Sequence, residues 1–290
     1  MEINSAAFSV GRVNSDGLSD VKSVPVPARS VWEACRQLVA DVAAGDDVTG
    51  LGIASTGPID MAAGITGITG IPDWETGFEI GEQFQKAYPA ASIAFAYSGV
   101  CYALAEQRFG DAGSSPDALA ITVGTQVSAG IIVGSFTAVG RTGNAGHIGH
   151  LLVPGFDDDC VCGSRGCLEA VASEPAALRW ARDQGWPGNS AQELLDSAAG
   201  GDAVAQEALQ RAGTALGRAI ASATALLDVD YVVVGGTLAA PGSPLWGPLG
   251  DAVVAHSRQS FQAGMRVVPS QLGALGVLLG AGILAAPAPE

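Results

Sequence analysis

The chain has 290 residues, 48% apolar and 15% charged, the profile of a folded protein with material for one large domain or two. Its formal net charge is −15, and Lys22 and Lys86 are its only lysines. Such a surface repels a polyanion, which argues against a nucleic-acid partner.

The opening reads as two strands, over residues 3–13 and 22–26, joined by a turn at residues 14–17. Ser30 and Glu33 have capping-box spacing. They predict a helix that buries Val31, Cys35, Leu38, Val39 and Val42 and ends near Gly45. Residues 51–54 and 93–96 read as short strands, the second followed by a helix over 100–109. Residues 118–123 and 130–133 suggest a hairpin. A helical region covers 168–226, with a second capping box at Ser190 and Glu193. Residues 231–234 form an apolar strand running into Gly235 and Gly236. Strands alternating with helices imply an α/β architecture. The stretch 110–116 is the expected boundary between domains 1–115 and 116–290, and no repeat of fixed period is visible. No secretory signal opens the chain, and the apolar tail over 272–286 is too short and glycine-rich to span a bilayer, so no membrane partner is expected.

Cys160, Cys162 and Cys167 fall within eight residues, and His150, one of three histidines, lies ten residues upstream. Gly163 and Gly166 allow the turn that returns Cys167 toward the other two. One imidazole and three thiolates match a closed, structural zinc site with no open position for a catalytic water. Such a cluster suits a reducing cytoplasm. Cys35 and Cys101 fall in helical patterns and read as core, and His256 reads as surface. Asp157, Asp158 and Asp159 read as a solvated loop, because a hard cation needs convergent rather than consecutive oxygens. Arg165 is placed to offset the charge of the three thiolates.

The run from Gly146 to His150, followed by Cys160 through Glu169, resembles the signature of ROK proteins (repressors, open reading frames and sugar kinases). The resemblance extends along nearly the whole chain. It takes in the loop from Gly52 to Pro58, Trp74 in a sugar-side motif, and the glycine turns at Gly124 and Thr125 and at Gly235 and Gly236. It implies two actin-like α/β domains of the ribonuclease H or hexokinase type, with a zinc loop over 150–169 and a last helix packed back on the N-terminal domain. The cleft between them would close on a sugar and ATP with Mg2+, in a homodimer.

The chain departs from this pattern where the chemistry is done. The family's phosphate turn falls on residues 2–7. There Asn4 and Ser5 replace two glycines whose N–H groups approach phosphate, and Ala6 and Ala7 replace a threonine and a lysine. The catalytic motif falls on residues 98–101, which puts the family's aspartate base at Gly99. A positioned base contributes about 10²–10⁴ in rate, and phosphoryl transfer depends on positioning and charge stabilisation. Use of ATP and Mg2+ is therefore not expected. Gln126 replaces a further turn glycine, His147 a sugar-binding glutamate, and Gly70 and Ser98 two asparagines. His150 and Glu169 are retained, which the cleft and the metal loop explain equally well.

Three readings follow. In the favoured one the chain is a zinc-stabilised pseudokinase, binding a sugar or sugar derivative among Trp74, Ser98, His147, His150 and Glu169, or serving as a scaffold. In the second it is an active hexose or amino-sugar kinase with relocated residues such as Asp60 or Asp73. In the third the cleft runs other chemistry on Cys101, Glu169 or His147, a histidine titrating near neutrality. A repressor is disfavoured, since no DNA-binding segment precedes these motifs.

Overall fold

Alternating apolar residues build the first sheet from the start of the chain. The computed structural model describes residues 1–14, 17–68 and 70–285; the centre of the expected turn at Ser15 and Asp16, and Ala286 of the apolar tail, lie outside them. Strands β1 (Glu2–Ile3), β2 (Ala7–Asn14) and β3 (Gly17–Pro25) pair antiparallel in succession. The single strand expected over 3–13 is thus split at residues 4–6. Helix α1 (Val31–Ala43) buries the five residues its periodicity predicts. Ser30 does not cap it: its backbone is left-handed, with φ 55°, and its side chain makes no capping bond. The buried face holds this helix. Strand β4 (Gly50–Ser55) pairs parallel with β1. A small hairpin of β5 (Ile59–Asp60) and β6 (Ile65–Thr66), then α2 (Ile80–Ala87), lead to β7 (Ser92–Tyr97), parallel to β4.

Helix α3 (Ser98–Phe109) carries the chain to a second sheet. Strands β8 (Ala118–Val123), β9 (Val127–Val133) and β10 (Phe136–Ala138) are again an antiparallel series. The metal segment follows. The long helical region resolves into α4 (Leu168–Ala172), α5 (Glu174–Asp183), α6 (Ala191–Ala199) and α7 (Ala203–Leu227). Of the second capping box, Ser190 caps Glu193 N–H at 3.2 Å, while the Glu193 carboxylate accepts from Asn189 rather than Ser190. Strand β11 (Tyr231–Gly235) lies parallel to β8. Helix α8 (Trp246–His256) precedes β12 (Arg266–Pro269), parallel to β11, and α9 (Gly276–Ala285) closes the described chain.

The two sheets run β3-β2-β1-β4-β7 and β10-β9-β8-β11-β12, the same order built twice. This is a repeat of topology without a repeat of sequence. The halves also exchange helices. A Cβ on Gly52 of β4 would lie 1.6 Å from the carbonyl oxygen of Ala281, so α9 touches the first sheet backbone to backbone. In turn α3 lies on β9 of the second sheet, with Gly130 against the Gly99 carbonyl. These crossed contacts fix the cleft that opens between the C-terminal ends of β4 and β7 and the β8–β9 turn. Among the described residues, no helix is long and apolar enough to cross a membrane.

Candidate functional site

Two neighbouring cavities lie in this cleft and share Thr56 and Gln126 as wall. One, of about 430 Å³, is lined by Gly57, Tyr97, Asn144, His147, His150 and Glu169. The other, of about 220 Å³, is lined by Glu2, Asn4, Ser98, Gly124, Glu174 and Thr237 among others.

In the first cavity the His147 ring stacks on Tyr97, with centroids 4.1 Å apart, and lies 5.9 Å from the ring of His150. Its Nε2 is 3.1 Å from Asn144 Oδ1. Asn144 itself joins the two halves, accepting from Ile59 N–H at 2.9 Å and donating to the Ile59 carbonyl at 2.6 Å. Burial, and next the proximity of His150, push His147 down to about 4. It is neutral at physiological pH, not poised near neutrality as the sequence suggested. Glu169, on the first turn of α4, accepts from Val127 N–H at 2.6 Å, and burial pushes it up to about 7.

The second cavity sits at the head of α3. The aspartate position assigned to Gly99 is corrected by the packing there. A Cβ on Gly99 would lie 1.9 Å from the Ala129 carbonyl oxygen, so no side chain fits, and Ser98 is the residue of this turn that lines the cleft. The β1–β2 turn is closed on itself: Asn4 Oδ1 accepts from the N–H groups of Ala6 and Ala7, both at 2.9 Å. In the β8–β9 turn, Gly124 N–H donates to the Gln126 carbonyl at 3.1 Å. No lysine or arginine lines the cavity, which carries the carboxylates of Glu2 and Glu174. Burial pushes Glu2 up to about 7 and raises Glu174 as well. The hydroxyls of Thr56 and Ser98 are buried without a hydrogen-bond partner.

The metal segment folds as its spacing predicts. The donor atoms of His150, Cys160, Cys162 and Cys167 all lie within 4.8 Å of one another. Cys162 and Cys167 sulfurs are 3.8 Å apart, and Cys160 Sγ is 3.9 Å from His150 Nδ1. Tetrahedral bonds of about 2.3 Å to sulfur would set two sulfurs about 3.8 Å apart, so the donor set fits one such ion. Arg165 pairs with Asp157 at 3.0 Å and Asp159 at 3.4 Å, and not with the thiolates. Asp158 pairs with Arg211, which also lies over the rings of Phe156 and Trp180 and ties the loop to α7.

Other expected site residues lie elsewhere. Trp74, which the sequence leaves equally open between stacking on a sugar ring and packing, is core and not a ligand-binding residue: it is 1% exposed, stacked between Phe8 and Phe78 at 5.7 and 4.5 Å. Cys101 is fully buried, its thiol pushed up to about 12, and lines neither cavity. Asp60 and Asp73 are exposed and line neither. Ser5 and Thr125 line a third hollow next to Glu169. Gly236 and Thr125 line the Ser98 cavity, while Gly235 packs under Tyr102. Thr56, Tyr97, Asn144 and Glu174 are cleft residues that the sequence reading did not single out. Only Thr56, inside the Gly52 to Pro58 loop, carried a local signal.

Known proteins share this fold and sequence pattern. The sequence is 29% identical to a glucokinase of Thermotoga maritima over 301 residues, covering 97% of this chain and 94% of that one. It is 32% identical to a kanosamine kinase of Amycolatopsis mediterranei, covering 83% and 78%. The fold superposes on a ROK family glucokinase from Streptomyces griseus, solved with glucose and AMPPNP, with a TM-score of 0.85 at 24% identity over 98% of this chain and 97% of that one. The sequence profile of the ROK family matches residues 9–288, and the chain belongs to that family.

Proposed function

We propose that this chain is a ROK protein that binds a sugar-class ligand in the His147 cavity and does not transfer phosphate to it. The observation that carries this reading is the Asn4 side chain. Its oxygen occupies the two N–H groups, of Ala6 and Ala7, that an open turn would offer to a phosphate oxygen. A triphosphate entering the Ser98 cavity would meet two carboxylates and no lysine or arginine. Ser98, the cleft-facing residue of α3, offers a hydroxyl where a base would need a carboxylate. The relocated bases Asp60 and Asp73 lie away from both cavities, and the Glu169 carboxylate is engaged by Val127 N–H.

The loop from His150 to Cys167 takes zinc in this reading. Metal would hold His150 and the segment bearing Glu169 against the His147 cavity, which both residues line. Residues 1–115 and 116–290 form the two domains, and five free cysteines suit a reducing cytoplasm. The test is ADP release with Mg2+ and a panel of aldohexoses and amino sugars. No release above background is expected; sugar-dependent turnover would overturn the reading.

A further inference from the structure

Cys162 is the exposed thiol of the Cys and His cluster, while Cys160 is 8% and Cys167 1% exposed. Backbone bonds fix the turn that carries it. Cys160 N–H donates to the Ser164 carbonyl and Gly163 N–H to the Cys160 carbonyl, each at 2.9 Å. Gly163 and Gly166 take left-handed backbone, at φ 86° and 73°, and bring the Cys162 and Cys167 sulfurs to 3.8 Å. A disulfide sets its sulfurs about 2.05 Å apart, so the pair needs to close by roughly 2 Å. Cys160 is the poorer partner, since its sulfur faces His150 Nδ1 at 3.9 Å. Cys35 and Cys101 are fully buried. An accessible thiol with a second sulfur beside it, ready to displace an oxygen from the first, is the arrangement of a reversible peroxide target. Cys162 also lines the His147 cavity together with Val161, His150 and Glu169, so its bonding changes the wall of the ligand site.

The geometry points to Cys162 and Cys167 as an oxidation site for hydroperoxides, where a reversible disulfide removes two of the four donors and opens the loop beside the His147 cavity. The Cys162 sulfur attacks one peroxide oxygen, the O–O bond breaks, and the departing hydroxide takes a proton and leaves as water. Cys162 is then a sulfenic acid. The Cys167 sulfur attacks it, the S–O bond breaks, and a second water leaves. Two thiolates, one H2O2 and two protons give one disulfide and two waters, the sulfurs losing the two electrons that the peroxide gains. His150 and Cys160 remain, too few donors for a closed four-coordinate site. This last consequence rests on the reading that the loop takes zinc.

The test treats the whole reduced protein with a small excess of hydrogen peroxide. It reads intact mass, disulfide-linked peptides and the zinc released to a chromogenic chelator. The expected result is a loss of two hydrogens, a single link between Cys162 and Cys167, and zinc released in step with it. Metal should return after dithiothreitol and Zn2+ together, and not after Zn2+ alone. In the reduced, metal-free protein, iodoacetamide should label Cys162 at least about tenfold faster than Cys35 or Cys101. Cys167→Ser should block the link and leave on Cys162 a sulfenic acid that dimedone traps. In the wild type, a first disulfide through any other cysteine, or oxidation with no disulfide, overturns the proposal. So does zinc that stays bound at full occupancy once the link has formed. Protein that carries no metal yet forms the Cys162–Cys167 link would overturn the zinc reading and leave the oxidation site standing, which separates the two failures.

Discussion

Asn144 reaches from the second half of the chain to Ile59 in the first and pairs with both polar groups of its backbone, at 2.9 and 2.6 Å. This is the bond pattern of a strand supplied by one side chain. Its oxygen also lies 3.1 Å from His147, so one carboxamide closes the cleft and orients the ring that lines it. Asn144→Ala is expected to cost about 1–3 kcal/mol, the cost of leaving the partners unpaired, read by denaturant unfolding. Asn144→Asp keeps the acceptor and loses the donor, and should fall between the two. If Asn144→Ala matches the wild type in stability and ligand affinity, the latch is not there.

The head of α3 makes a sharper prediction. A methyl at Gly99 must displace the Ala129 backbone, since the two would stand 1.9 Å apart. Gly99→Ala should cost roughly 1–3 kcal/mol or more, the range for an overpacked interior. Ser98→Asp points into open cavity and should fold. It still should not phosphorylate sugars, because the turn at Asn4 remains closed. A stable Gly99→Asp protein with kinase activity would contradict this arrangement.

Metal removal should act through the loop. Three of the four candidate donors lie just ahead of α4, and Glu169 is on its first turn. Chelation in reducing buffer is expected to lower the melting temperature by roughly 5 °C or more and to weaken ligand binding, with both restored by added Zn2+. Cys162→Ser should reproduce the loss without chelator. An unchanged melting curve on chelation, with no metal in the untreated protein, would remove zinc from the account.

Glu2 gives the pH dependence a sign. Burial raises it from 4.5 to about 7 in the folded chain, so the folded state holds a proton that the unfolded chain releases. Stability from this group is complete below about 4.5 and falls as pH rises toward 7, by up to about 3 kcal/mol at 1.36 kcal/mol per unit. Glu2→Gln should flatten the difference between melts at about pH 5 and about pH 8. A slope that is identical in the variant would show that Glu2 is solvated.

What could be read ahead of the structure was local in the chain. The five buried positions of α1 and the four clustered Cys and His donors each lie within a short stretch whose spacing sets the geometry. What could not be read depends on long separations or on single-residue phase. Asn144 and Ile59 are 85 residues apart. A helix turns about 100° per residue, so whether Ser98 or Gly99 faces the cleft depends on where α3 begins. Trp74 had two fitting readings, and only its position between Phe8 and Phe78 selects the core. Asn4 reads as a lost glycine in sequence, yet in the fold it is the group that fills the turn. The doubled sheet order leaves no sequence period, because topology is conserved by burial pattern and not by residue identity.

The Asn4 side chain takes up the Ala6 and Ala7 N–H groups that a phosphate would need, and a calorimetric titration of Mg·ATP into the protein, with and without glucose, tests the consequence most directly. The account predicts no saturable heat up to about 1 mM, the affinity range of only a few kcal/mol. A single-site isotherm with a dissociation constant of about 100 µM or tighter, lost on Asn4→Ala, would contradict it.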